Sequence, residues 1–129
     1  MIDHVGIKVS DYARSRAFYQ AALGVLGIQL LSEFEYEGKH YAGFGSDRAT
    51  FWIDDNVDTR IGAAHVAFAA PSRAAIHSFH TVALASGGRD NGPPGLRPHY
   101  SADYYAAFVL DPDGHNIEAV RVGPAEDKA

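Results

Sequence analysis

The chain has 129 residues, 47% of them hydrophobic and 21% charged, enough apolar material for one domain with its own core. It has no cysteine, which excludes disulfides, thiolate nucleophiles and cysteine-rich zinc sites. A net charge of −5 leaves no basic stripe for nucleic acid. The absence of a long apolar run or leader-like start predicts no membrane span and a cytoplasmic protein.

The first predicted element is a strand in which Val5, Ile7 and Val9 alternate with His4, Gly6 and Lys8. Ser10 or Asp11 then caps a helix whose apolar face is Phe18, Tyr19, Ala22 and Leu23, ended near Gly24. Three strands follow, over 28–36, 40–45 and 50–54, and a polar linker over 56–61. The pattern then restarts. Val66 and Phe68 alternate with His65, Ala67 and Ala69, and Ser72 caps a helix with Ile76, Phe79, His80, Ala83 and Leu84 on one face. The Gly/Pro-rich segment 87–100 has room for one short irregular strand, and 104–110 and 115–122 read as better strands. Residues after Val122 read as a frayed tail.

A constant shift of 61 residues lays His4 on His65, Val5 on Val66, Phe18 on Phe79 and Leu23 on Leu84. The chain is therefore expected to be α+β, with two βαβββ modules (1–55 and 62–122) in a pseudo-two-fold arrangement. Period two turns His4 and His65 away from the strand face that meets the helix. Asp111-Pro112-Asp113-Gly114 is a hairpin turn, which pairs Phe108 with Glu118 and puts Glu118, Asn116 and Val120 on one face. By the same parity Tyr104, Ala106 and Phe108 share that face, while His115 does not. A carboxylate among Ile117, Ala119 and Val120 needs a partner if buried. His4, His65 and Glu118 form a two-histidine, one-carboxylate set suited to a divalent iron, manganese, nickel, cobalt or zinc ion. His40, His77 and His99 read as surface or structural groups, and His80 as a satisfied polar group near the core.

The segments DHVGIKVSDYARSRAFYQAALG, AHVAFAA and FVLDPDGHNIEAV resemble the vicinal oxygen chelate superfamily, which includes glyoxalase I, fosfomycin- and bleomycin-resistance proteins and extradiol dioxygenases. The resemblance spans 2–122 and implies curved sheets around a metal cavity, a homodimer, and His4, His65 and Glu118 as the metal ligands. It implies a metal-dependent lyase, isomerase or ring-cleaving dioxygenase acting on a small substrate that chelates the metal through oxygens. The alternative it offers is a metal-independent protein that sequesters a small molecule. Glyoxalase I has a further glutamate ligand on the last strand of its first module, where this chain has Trp52, so ordinary glyoxalase I activity is not expected. The threonine that fosfomycin-resistance proteins place two residues after the first ligand is Gly6 here. Extradiol dioxygenases use further histidines and tyrosines, for which His99, Tyr100 and Tyr104 are the candidates. Glu118 and Tyr104 are the catalytic candidates, and Trp52, Phe108, Tyr100 and Arg97 the substrate-binding ones.

Overall fold

A computed structural model describes residues 2–56 and 62–126. Most of the expected linker and the last three residues lie outside the described residues. The element order is β1 (Val5–Lys8), α1 (Tyr12–Gly24), β2 (Gln29–Tyr36), β3 (Lys39–Gly45), β4 (Ala49–Asp54), β5 (His65–Ala69), α2 (Arg73–Ala85), β6 (Arg89–Leu96), β7 (Tyr104–Leu110) and β8 (Asn116–Val122). The strands form two four-stranded sheets, ordered β1-β4-β3-β2 and β5-β8-β7-β6. In each sheet the module's first strand runs parallel to its last and the other neighbours are antiparallel. The two βαβββ modules are thus present with the same topology. No described helix is long and apolar enough to cross a membrane.

Local chemistry accounts for the boundaries. The Asp11 and Ser72 side chains accept the backbone N–H groups of Arg14 and Ala75, each capping its helix. Alternation sends Ile7, Ala42, Phe44, Phe51 and Ile53 of the first sheet into the core, with Phe18, Tyr19, Ala22 and Leu23 of α1. Phe68, Val109, Ile117 and Ala119 do the same in the second sheet, with Ile76, Phe79 and Ala83 of α2. One core runs through both modules. Phe51 meets Phe68 edge to face at 5.0 Å, and α1 packs on α2.

The 111–115 turn is the polar part of that junction. Buried Asp111 accepts the N–H groups of Asp113 and His115 and, across the modules, the Tyr19 hydroxyl at 2.5 Å. Buried His115 receives the Ala64 N–H on Nδ1 and donates from Nε2 to the Lys8 carbonyl, linking the two first strands. Asp113 accepts the N–H and hydroxyl of Ser10 ahead of α1. The DPDGH run therefore clasps the modules together, and the odd parity of His115 gives it that structural role.

β6 differs from the expectation of one short strand. It spans Arg89–Leu96, but its register to β7 breaks between Asp90 and Gly92 and again between Gly92 and Gly95. Pro93 and Pro94 cannot donate to a ladder, so the strand follows β7 without a regular bond pattern.

Candidate metal and substrate site

Each sheet has one face on the core and an opposite face that no helix covers. The first of these open faces carries His4, Gly6 and Lys8 of the β1 segment, Trp52 and Asp54 of β4, Tyr41 and Gly43 of β3, and Phe34 of β2. Gly6 pairs with Trp52 and Gly43 with Trp52 from the other side. The indole lies flat across Gly43, where a Cβ would stand 2.7 Å from Trp52 Cη2, so only glycine admits that ring position. Phe34 meets Trp52 edge-on at 5.9 Å and stacks on Tyr41 at 4.9 Å. These rings, with His4 and Asp54, line a shallow hollow of about 280 Å³. Asp54 is held by Lys8 Nζ at 2.9 and 3.1 Å and by the Asn56 N–H.

The second open face carries His65 of β5, Asn116 and Glu118 of β8, and Tyr104 and Phe108 of β7. Phe108 and Glu118 are partners across the hairpin, as the turn predicts. Glu118 is only 2% exposed, and both of its oxygens are engaged. His65 Nε2–H donates to Oε1 at 2.9 Å, and the Tyr104 hydroxyl donates to Oε2. Burial first, and then this bond to Glu118, push the Tyr104 phenol up to about 12, so it is a neutral donor at ordinary pH. Tyr100 packs against Tyr104 at 4.9 Å, and Arg97 stands over Phe108 with Cζ 5.4 Å from the ring centre. His80, as expected, is a satisfied group, bonded to Asp90 at 2.8 Å.

The register fixes the equivalence of the two modules at the site. Gly6 and Ala67 are matched by the repeat; Gly6 pairs with Trp52 and Ala67 with Glu118. Trp52 therefore occupies in the first module the position that Glu118 occupies in the second. Asp54 matches Val120 and lies one pleat further on.

The sequence leaves open whether His4, His65 and Glu118 meet within one chain or across two copies, and within one chain they do not come together. His65, Glu118 and Tyr104 come together, while His4 lies on the other sheet, bonded to Asp3 at 2.9 Å. Among the described residues no three His, Cys, Asp or Glu side chains are grouped closely enough to hold a metal. The reason is the module junction. The modules meet through their helices, the Phe51–Phe68 contact and the 111–115 clasp, so the two histidine-bearing faces do not close on each other. Phe34, Tyr41, Asn91 and Asn116 also line the two hollows. Parity alone placed Asn116. Tyr41 follows from the β3–β4 register, while Phe34 and Asn91 depend on a bulge between Leu30 and Ser32 and on the broken register of β6, which leave no periodic signal.

Comparison with known proteins agrees with this architecture. A crystal structure of a glyoxalase/bleomycin resistance protein from Albidiferax ferrireducens T118 is 32% identical, with TM-score 0.72, over 92% of this chain and 95% of that one. A probable lactoylglutathione lyase of Synechocystis sp. is 29% identical over 96% of this chain and 97% of its own length. Glyoxalase I from Zea mays, at 23% identity and TM-score 0.71, shares the fold, and this chain spans 44% of it. Residues 1–119 match the family described as the Glyoxalase/Bleomycin resistance protein/Dioxygenase superfamily, and the chain belongs to that superfamily.

Proposed function

We propose that the chain is a metal-dependent enzyme whose small substrate offers adjacent oxygens to a divalent ion. In this reading each complete site takes His65 and Glu118 from one copy and His4 from a second copy in a homodimer. The observation that carries it is the buried Glu118 carboxylate facing His65 Nε2 at 2.9 Å on an uncovered sheet face. A buried carboxylate is costly, and its neighbours here are the groups that accompany a nitrogen- and oxygen-ligated ion. The imidazole and carboxylate donors fit iron, manganese, nickel, cobalt or zinc, but two of them seldom hold a divalent ion. The third donor, His4, is on a face that also exposes Phe34 at 48% and Tyr36 at 61%. A second copy laid on that face would cover these rings and supply the missing nitrogen.

When bound, the ion supplies Lewis acidity toward substrate oxygen. The chain's own groups do the rest. Tyr104 donates its hydroxyl to one Glu118 oxygen and would orient the carboxylate, while His65 Nε2 and the other Glu118 oxygen, which face each other at 2.9 Å, would both turn to the ion. Trp52, Phe34 and Tyr41 offer flat apolar surface and exclude water. Lyase or isomerase chemistry and oxidative ring cleavage both fit this arrangement.

Lactoylglutathione lyase activity proper is not the expected one, although relatives carry that name. In the four-ligand pattern, moving a proton between neighbouring carbons uses a second carboxylate besides the one matched by Glu118. Position 52 offers only an indole N–H, and Asp54 lies one pleat further on, bonded to Lys8. A second reading, a binder that sequesters a small molecule without chemistry, is favoured by the aromatic hollow alone. Protein purified without chelator or histidine tag should take up a divalent ion. Loaded protein should turn over one member of a panel of catechols, methylglyoxal–thiol adducts and epoxide antibiotics, and lose that turnover in EDTA. Ligand affinity that survives EDTA, with no turnover, supports the binder instead.

A further inference from the structure

A second hollow, of about 260 Å³, opens on the β5-β8-β7-β6 sheet next to the His65–Glu118 pair. Arg97, His99, Asn91, Asn116 and Phe108 are among its lining residues, and among the described residues no carboxylate is. The arginine is held rather than loose. Its Nη1 donates to the Gly95 carbonyl at 2.9 Å and its Nη2 to the Pro93 carbonyl at 2.7 Å, while the plane of charge stands over Phe108. The backbone is shaped around it. A Cβ at Gly92, which sits at φ +152°, would lie 3.1 Å from Nη2, and one at Gly95 would lie 3.3 Å from Nη1. Two of the five guanidinium N–H groups are used, which leaves three donors. Asn116 accepts from Asn91 on its oxygen, so its own N–H groups are also free for a ligand.

We propose that this hollow is an anion subsite. Arg97, with the Asn116 amide and His99, takes a carboxylate or similar planar oxyanion. The guanidinium has lost its rotamer freedom before any ligand arrives, which favours binding. Phe108 also lies against His65, with ring centres 6.4 Å apart. One phenyl ring thus bridges the imidazole and the guanidinium. Resting on the chelation reading above, the substrate class becomes a small anion whose chelating oxygens and acidic group are separated by about the width of a ring.

The test uses benzoate, catechol and 3,4-dihydroxybenzoate on the full chain. Benzoate carries only the anion, so metal-free protein is titrated with it while the Arg97 Nε–H resonance is followed by NMR. A saturable shift with affinity of about 1 mM is expected. An arginine that merely staples the broken β6 strand would give none, and that result overturns the subsite. In metal-loaded protein, calorimetry should find 3,4-dihydroxybenzoate bound about ten- to a hundredfold more tightly than catechol. Arg97→Gln should bring that ratio near one. Arg97→Lys, which keeps the charge and loses the fork, should retain part of the preference. Equal binding of the two diols by the native protein contradicts the proposal. If neither diol binds but benzoate shifts Arg97, the anion subsite stands and the chelation reading fails.

Discussion

At the scale of single residues, position 52 carries an indole where a four-ligand site would need a carboxylate. Trp52 stands where the repeat places the counterpart of Glu118, and its ring fits only because residue 43 is glycine. Trp52→Glu should add a carboxylate donor and raise divalent-ion affinity on the order of tenfold, read by competition with a chelating dye. It should also lose some stability, because the indole's contacts with Gly43 and Phe34 go. Tyr104 acts on the other side of the site. Tyr104→Phe removes one of the two donors to a buried carboxylate and should lower unfolding free energy by about 1–3 kcal/mol, seen as a lower urea midpoint with unchanged slope. The phenol's raised pKa gives the sign of its pH dependence. Its contribution is complete below the ordinary tyrosine value and is lost as pH rises through about 12.

At the scale of elements, the 111–115 turn joins the modules and β3 is pinned to the end of β4. Asp111→Ala removes a buried acceptor that serves two backbone N–H groups and the buried Tyr19 hydroxyl, and should cost about 3 kcal/mol in urea unfolding. The other link is His40, whose Nδ1 is 2.8 Å from Asp55 and whose N–H donates to the same carboxylate. The side-chain bond to Asp55 raises the His40 pKa above the ordinary value. Burial pushes Asp55 upward, but its bonds from His40 outweigh that and leave its carboxyl below the ordinary range. The histidine's contribution is complete below its ordinary pKa of 6.5 and is lost as pH rises through the raised value. The aspartate's is complete above 3.8 and is lost as pH falls through the lowered value. The pair therefore helps most between about pH 4 and 6.5. Asp55→Asn should flatten the fall in melting temperature as pH rises above about 6.5.

These elements also divide what the sequence could tell from what it could not. The β1, β4, β5 and β8 segments alternate cleanly, so the faces of His4, Trp52, His65 and Glu118 follow from period two alone. Asp111 to Gly114 fixes its own hairpin, with Gly114 at φ +88°, and so the Phe108–Glu118 pairing. β6 could not be read that way, because two prolines and two glycines erase its periodicity, and its interrupted pairing to β7 and the Arg97 bonds give it shape. The separation of His4 from His65 was equally hidden. The repeat states that the modules are alike, and says nothing of which faces they turn toward each other.

At the scale of the whole molecule, the donors of the proposed site are divided between two open sheet faces of one chain, and the proposal needs a second copy to bring them together. Light scattering should find a dimer at working concentration. The most direct test of a site shared between copies is complementation. His4→Ala and Glu118→Ala proteins should each fail to bind a divalent ion. Mixed, unfolded and refolded together, they should form heterodimers in which one of the two sites has all three donors. Metal binding should then return to about a quarter of the native stoichiometry per chain. If the mixture binds no more metal than either variant alone, the three residues do not meet across two copies, and the shared site is contradicted.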